Sequence, residues 1–373
     1  MTLAGAHNRD TVPLNKALDA VDHEILLTKM NRCGIQRKTL DWFKSYLTNR
    51  TQRCLVNSCL SDFTILKCGV PQGTILGPLL FQIYIHDLPY CLSFSVNRMY
   101  ADDTHITYAG SDLHLIQSSL SHDHEKLSKC LASNRLTLNS TKTEFMLISS
   151  RQRLTTLSDT LELSIDNVLI EQVPSVKSLG IYIDDNLTWH SHIADKLCKK
   201  IASAIGLIKR VKPFVPQSTL LNMYNSLVQS NFDYCSLIWS NGGKTLSNKL
   251  QKLQNRAARV ITSSNFDIDV DSLFHKLSWK DSKSQCQNQN ALMVFKSLNW
   301  LVPKYLASKF VKRNESNYSL RDSVNKLVIP FPRTNYMKNS FSYSGTTLWN
   351  SLPCNIRESG SLNQFKRLLY HNF

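Results

Sequence analysis

The chain has 373 residues, of which 42% are hydrophobic and 19% are charged, and it carries 44 Lys and Arg against 28 Asp and Glu. This length allows two or three domains that each bury a core, and the composition excludes a disordered chain. The net charge of +16 favours an anionic partner, most commonly nucleic acid, although a basic protein without such a partner stays an alternative.

The ten cysteines are irregularly spaced without any C-x-x-C pair, which favours reduced thiols over a zinc site. The opening "MTLAGAHNRD" lacks the apolar core of a signal peptide. No apolar run reaches the roughly 18 residues that a membrane span requires. We therefore expect a soluble intracellular protein without a membrane partner.

The first half of the chain mixes helix and strand signals. Residues 24–48 predict two short helices that break at Gly34, and residues 79–85 and 112–134 predict a buried and an amphipathic helix. Strands are predicted at "RCLV" (53–56) paired with "FTILKCGV" (63–70), at "RLTLN" and "EFMLIS" (135–149), and as a pair within 161–183.

The stretch "RMYADDTHITYA" predicts a strand, a tight turn and a second strand, with Asp102 and Asp103 at the turn. Two carboxylates on such a turn can aim hard oxygen ligands at a divalent cation. A solvated Asp-Asp turn without a metal is the alternative that the pair alone leaves open.

Beyond Asp185 the apolar pattern becomes helical. Residues 188–262 hold 11 Lys and Arg against two acids, Asp195 and Asp233, a net of +9. The scarcity of acids favours a surface that follows phosphates over an ordinary solvated face. The basic residues that would form this surface are Lys199, Lys200, Lys209, Arg210 and Lys212.

Four stretches follow one another in an order that resembles reverse transcriptases, and more narrowly those of non-LTR (LINE-type) retrotransposons of the Jockey and CR1 kind. They are "GVPQGTILGPLLFQIYIHDLP" (69–89), "MYADD" (99–103), "LNSTKTEFMLIS" (138–149) and "SVKSLGIYIDDNLTWHSHI" (175–193). Further stretches resemble that group's C-terminal region: "DYCSLIW" (233–239), "KLQKLQNRAARVIT" (249–262) and "FSYSGTTLWNSLP" (341–353). The resemblance runs from about residue 14 to the end.

The resemblance implies an α+β fold in three parts. Residues 1–187 would form a palm with an antiparallel sheet, residues 188–262 a helical thumb, and residues 263–373 a mainly helical C-terminal region. It also implies RNA-directed DNA polymerisation with two Mg²⁺ ions, an RNA template, a DNA primer and dNTPs. The expected location is the nucleus and a cytoplasmic ribonucleoprotein.

The resemblance also assigns site residues position by position. Asp102 would be the principal metal ligand, with Asp103 beside it, and Lys142 would lie near the triphosphate as a proton donor. Nucleotide, primer and template contacts would come from Leu18, Gln72, Gly73, Tyr100, Ala101 and the turn Leu179–Gly180.

Three features depart from the family pattern. The family's third metal-binding Asp falls on Pro13 in "VPLNKALDAVDHEIL" (12–26), and proline offers no carboxylate. Asp10 would point to the opposite face of the strand, and Asp19 matches an aspartate the family already has. Leu18 stands where the family carries an aromatic ring that excludes a ribose 2′-hydroxyl, so looser sugar selection is expected.

The match also begins at this motif, so that a fingers subdomain is expected to be missing and the element N-terminally truncated. Three hypotheses follow: an active polymerase, an inactive nucleic-acid-binding palm and thumb, or the product of a decayed element without a selected function. The missing carboxylate favours the second and third.

Overall fold

The computed structural model describes residues 10–13, 17–139, 142–156, 161–165, 168–313, 325–370 and 372, with backbone alone for 10–13. The expectation of a loosely ordered N-terminus falls mainly on residues 1–9, outside this range. The chain divides into two compact units, the first comprising residues 1–180 and 184–186 and the second residues 181–183 and 187–373. Residues 188–262 and 263–373 both fall in the second unit.

The first unit mixes short strands with helices. Its helices are α1 His23–Arg32, α2 Lys38–Leu47, α3 Leu76–Ile85, α4 Leu113–Ser133 and α5 Arg151–Thr156, with a 3-10 turn at Leu88–Cys91. Its strands are β1 Asp10–Pro13, β2 Thr51–Gln52, β3 Leu55–Val56, β4 Cys59–Leu60, β5 Thr64–Ile65, β6 Val96–Tyr100, β7 Asp103–Thr107, β8 Glu144–Phe145, β9 Ser164–Ile165, β10 Val168–Leu169, β11 Glu171–Gln172 and β12 Ser175–Ser178.

After the boundary strand β13 Ile181–Asp184, the second unit is helical in its described part. Its helices are α6 Cys198–Val211, α7 Gln217–Tyr224, α8 Ser230–Asp233, α9 Ser236–Trp239, α10 Lys244–Thr262, α11 Val270–Leu277, α12 Ser282–Leu298, α13 Lys304–Ala307, α14 Asn335–Lys338, α15 Phe341–Ser351, α16 Cys354–Arg357 and α17 Leu362–Tyr370. π-helical turns occur at Ser191–Leu197 and Asn225–Gln229. No helix in the described ranges is both long enough and apolar enough to span a bilayer.

The central sheet of the first unit is antiparallel, with strand order β1-β7-β6. Its core lies among α1, α3 and α4, whose inner faces bury Leu26, Leu80, Tyr84, Leu120 and Leu127. Side-chain caps fix where two of these helices begin: the Asp22 carboxylate accepts from two backbone N–H groups of α1, and the Asp112 carboxylate accepts from one of α4. Mixed helix and small antiparallel sheets agree with the α+β expectation.

A buried lysine ties three parts of this core together. Lys29 Nζ donates to the Tyr84 carbonyl at 2.5 Å, to Asp87 Oδ1 at 2.8 Å and to Asn134 Oδ1 at 2.5 Å. Since all three ammonium donors have partners, this charge can remain buried. The network joins α1 to the end of α3 and to the residue that follows α4.

Several helix predictions are confirmed, namely two helices around Gly34, a buried helix through 79–85 and a long helix over 112–134. The predicted pairing of 53–56 with 63–70 is wrong in detail. β3 pairs with β4, and β2 pairs with β5. Asn57 and Ser58 adopt φ of 48° and 66° and close a two-residue turn, so that the predicted strand at Leu55–Val56 pairs with Cys59–Leu60, which were expected to be loop.

Two other strand predictions are only partly met. "RLTLN" forms no named strand, and "EFMLIS" contributes just β8, which pairs with β11 in parallel. Residues 145–149 are nevertheless all buried. The continuous apolar run is therefore buried over most of its length. Strand pairing depends in addition on a neighbouring strand, which the periodicity of the sequence does not specify.

Candidate active site and nucleic-acid interface

The two adjacent aspartates lie at the tip of a hairpin, as predicted. β6 and β7 pair antiparallel from Val96↔Thr107 to Tyr100↔Asp103, which leaves Ala101 and Asp102 as a two-residue loop. Ala101 has a φ of 53°, in the left-handed region that such loops require and that alanine rarely adopts. Tyr100 is 65% exposed beside the loop. The hairpin thus places both aspartates at the end of the sheet where β6 turns into β7.

The two carboxylates differ in environment. Asp102 is exposed and Asp103 is half-buried at the start of β7. Burial raises the pKa of Asp103 above its usual range, and the neighbouring negative charge of Asp102 adds to the increase. A bound cation would reverse that effect, because positive charge favours the ionised carboxyl.

The strand register decides whether a third carboxylate completes this site. β1 pairs with β7 so that Pro13 is opposite Asp103 and Asp10 is opposite Ile106. Position 13 is therefore the point on β1 nearest to the aspartate pair, and it holds no acid. Among the side chains that the structure describes, no three acidic, histidine or cysteine groups are placed to hold a metal ion. Two carboxylates do not fit a site for two Mg²⁺ ions.

Two hydrogen bonds join the segment of Leu18 and Asp19 to the segment of Val70 and Gln72. The Val70 N–H donates to the Leu18 carbonyl at 2.9 Å, and Gln72 Nε2 donates to Asp19 Oδ1 at 2.8 Å. Gly73 has a φ of 75°, and a Cβ at this position would meet no atom within 4 Å. Gly73 is therefore needed for its backbone conformation and leaves open space beside it.

Leu179 and Gly180 form a turn, with φ of 47° and 82°. Ser178, just before it, forms a hydrogen bond of 3.1 Å between its Oγ and His105 Nε2 on β7. This contact attaches the turn to the strand that carries Asp103. Lys142 is exposed, and no contact joins its side chain to either aspartate, so its catalytic role remains a prediction.

One residue that was not among the predicted site residues, Asp123, anchors the start of the hairpin. Asp123, fully buried on α4, accepts hydrogen bonds from the backbone N–H groups of Ser93, Phe94 and Ser95 and from the Ser95 hydroxyl, at 2.6–3.0 Å. Ser95 directly precedes β6. The available signal was an acid on the apolar stripe between Leu120 and Leu127, where a carboxylate requires hydrogen-bond partners.

Four of the five basic residues predicted to contact phosphates lie on α6, and their role in binding stays a prediction. Lys200 and Arg210 line one groove of about 600 Å³ together with Ser203, Ser226 and Asn231, and none of the described residues that line it is acidic. Lys199 and Lys209 are exposed on the same helix, and Lys212 follows it half-buried. Cations flanked by hydroxyl and amide donors are suited to phosphate oxygens. No pattern in the sequence indicated Ser226 and Asn231, because they come from helical segments other than α6.

We expect Ala101→Gly to stabilise the hairpin by about 1 kcal/mol, because glycine occupies positive φ without the steric penalty of a Cβ. Hydrogen exchange of residues 96–107 would measure the effect. The matched control is Ala132→Gly in α4, where glycine should cost about 1 kcal/mol. Equal destabilisation by both substitutions would contradict the assigned loop geometry.

The segments that form this site lie in the part of the chain that matches known proteins. Residues 11–183 match the family model described as reverse transcriptase (RNA-dependent DNA polymerase). Among curated proteins, the chain is 26% identical over 271 residues to the probable RNA-directed DNA polymerase from transposon X-element of Drosophila melanogaster. It is 26% identical over 277 residues to that from transposon BS, and 25% identical over 287 residues to the RNA-directed DNA polymerase from mobile element jockey, both of the same fly.

These alignments cover 71–72% of the chain and 29–30% of each relative, so the chain spans less than a third of the proteins it matches. The matched family region contains β1, the aspartate hairpin, the Gln72 loop and the Leu179–Gly180 turn. Residues 11–183 therefore carry the match to reverse transcriptases, and the curated relatives support a likeness to the LINE-type, non-LTR retrotransposon enzymes.

Proposed function

We propose that this chain binds nucleic acid as a reverse transcriptase domain whose own residues leave the metal site for polymerisation incomplete. The observation that carries the proposal is the register of β1, which brings Pro13 opposite Asp103. Proline supplies no carboxylate where the resemblance requires one. The expected ligands are an RNA template and a DNA primer, with dNTP binding weakened by the incomplete site.

The loss is expected to affect catalysis more than binding. In phosphoryl transfer, Mg²⁺ neutralises charge and positions the reacting oxygens, and these effects provide most of the rate enhancement. Binding to a polyanion depends instead on cations such as Lys200 and Arg210, which form their groove without any contribution from position 13. The chain is therefore expected to retain affinity without efficient primer extension.

Polymerase activity is the second candidate, and it is supported by the antiparallel pairing of β1 with the strand that carries Asp103, as the resemblance would require. A wild-type chain that extends a primer on an RNA template, and loses this activity on Asp102→Asn, would establish the second candidate and overturn the first.

Pro13→Asp is expected to create divalent-cation affinity at the hairpin. A third carboxylate opposite Asp103 would add a hard oxygen ligand and lower the pKa of Asp103 once a cation is bound. We expect at least tenfold tighter Mn²⁺ binding than in wild type, measured by electron paramagnetic resonance titration.

Two control variants separate the effect of the added carboxylate on Mn²⁺ affinity from the effect of removing the proline ring. Pro13→Asn removes the ring without adding charge and should stay at the wild-type affinity, and Pro13→Asp with Asp102→Asn should lose the gain. Wild-type protein that already binds Mn²⁺ as tightly as Pro13→Asp would show that the site is complete without position 13.

A further inference from the structure

The second unit contains a cavity of about 770 Å³ that the proposed function does not use. Four aromatic side chains line it: Trp189, Tyr305, Tyr336 and Phe341. Tyr305 is 68% exposed and Tyr336 40% exposed, so ring surface is accessible to a ligand. We name it the aromatic cavity, and its volume is within the range of small-ligand sites in proteins.

Three non-glycine residues with left-handed backbone line this cavity. Leu187, Trp189 and Cys235 have φ of 53°, 64° and 52°. Bulky residues rarely adopt this conformation, and strained positions of this kind concentrate at ligand sites. The corner at Cys235 is held by hydrogen bonds from Trp239 Nε1 to the Tyr234 carbonyl at 2.9 Å and from Ser236 Oγ to Gln289 Oε1 at 2.7 Å.

A carboxylate in the cavity wall, that of Asp233, forms no ion pair with any described residue. Asp233 Oδ1 accepts from Gln229 Nε2 at 2.9 Å and Gln289 Nε2 at 2.8 Å, and no described residue donates to its other oxygen. Partial burial raises the pKa of Asp233, and the two amide hydrogen bonds oppose that rise. Lys309 also lines the cavity and forms no ion pair with any described residue. The wall of the cavity thus includes aromatic rings, a carboxylate that also lines a neighbouring cavity, and a cation.

We propose that the aromatic cavity binds one unpaired guanine of single-stranded RNA. Unstacked bases bind between aromatic rings, and the N1–H and 2-amino groups of guanine lie side by side, so both can donate to Oδ2 of Asp233, the oxygen that the two glutamines leave open. Lys309 would lie toward the nucleotide phosphate. The net charge of +9 over 188–262 attracts a nucleotide and opposes a simple organic cation.

The other bases fit the wall less well, because adenine, cytosine and uracil do not offer two adjacent donors on the Watson–Crick edge. The inference rests on the proposed function only in that the chain binds single-stranded RNA. Base selection by Asp233 is separate from phosphate binding by Lys200 and Arg210, since base contacts specify and phosphate contacts position.

The test is fluorescence anisotropy with labelled 12-nucleotide RNAs that consist of uridine with one central G, A, C or U. We expect about tenfold tighter binding of the G-containing RNA, and Asp233→Asn should remove this preference while leaving affinity for all-uridine RNA and its salt dependence unchanged. Asp195→Asn, outside the cavity, is the matched control. Replacing the central guanosine by inosine removes the 2-amino donor and should weaken binding with the protein unaltered.

A second pair of variants tests stacking. Tyr305→Ala should weaken the binding of RNAs that carry an unpaired central purine, whereas Tyr370→Ala on α17, an exposed tyrosine outside the cavity wall, should not. Competition by GMP distinguishes a site for free nucleotide from one that requires guanine within RNA.

RNA binding without any preference for guanine, or no effect of inosine, would overturn this inference and leave the proposed function intact. Absence of RNA binding at low salt would overturn both. Thermal unfolding of Asp233→Asn checks its fold, and the inosine comparison decides the question if that variant is unstable.

Discussion

Asp123→Ala is expected to lower the free energy of unfolding of the first unit by about 3 to 5 kcal/mol. The substitution removes the acceptor of three backbone N–H groups and one hydroxyl, and hydrogen bonds to a charged group contribute roughly 1.5–3 kcal/mol each without adding fully. Because Ser95 leads directly into β6, the aspartate hairpin should lose its fixed position together with this stability.

The effect has a defined pH dependence. Burial alone would raise the pKa of Asp123, but the hydrogen bonds from Ser95, Ser93 and Phe94 outweigh it and hold the pKa below its usual range. A depressed folded-state pKa stabilises fully above the unfolded value of about 4, and this contribution is lost as pH falls through the folded-state pKa. The difference between wild type and Asp123→Asn should therefore shrink in acid.

Hydrogen exchange of residues 93–107 tests this prediction, and exchange in the second unit serves as the internal reference. Asp112→Ala, which removes the cap of the same helix, is the matched control and should cost about 1 kcal/mol. If exchange at 93–107 rises no more in Asp123→Ala than in Asp112→Ala, the carboxylate is not the anchor of this segment.

Reversal of both cations of the α6 groove, Lys200→Glu with Arg210→Glu, is expected to weaken single-stranded RNA binding about 100-fold or more at low salt. Each phosphate contact contributes about 0.7 to the slope of log affinity against log salt on single strands, so the slope should fall by about 1.4 if each cation contacts one phosphate. The loss should be the same for all base sequences, unlike the effect of Asp233→Asn.

Filter binding over a salt series measures both quantities. Lys366→Glu with Arg367→Glu on α17 makes an equal change of net charge on an exposed surface away from the groove. An equal loss of affinity in this control would mean that net charge, and no particular groove, governs binding.

Some of this protein could be predicted from its sequence because local patterns are sufficient for it. The period of Leu120, Leu127 and Leu131 predicts α4, and the alternation around "ADD" predicts the hairpin. The nested turn at Asn57–Ser58 was not predicted, since two competing pairings satisfy the same short apolar runs. The palm and thumb assignments, and the roles of the individual site residues, stay predictions.

By itself, the sequence determined that the chain mixes helix with small sheets, carries a strongly basic second half and lacks an acid at position 13. These properties depend on residue identity and on spacing within one element. Only the tertiary structure decided that Pro13 lies opposite Asp103, that Asp123 secures the hairpin, and that Trp189, Asp233 and Phe341 line one cavity. Such placements bring together residues distant along the chain, and they depend on strand register and helix packing, which no local pattern encodes.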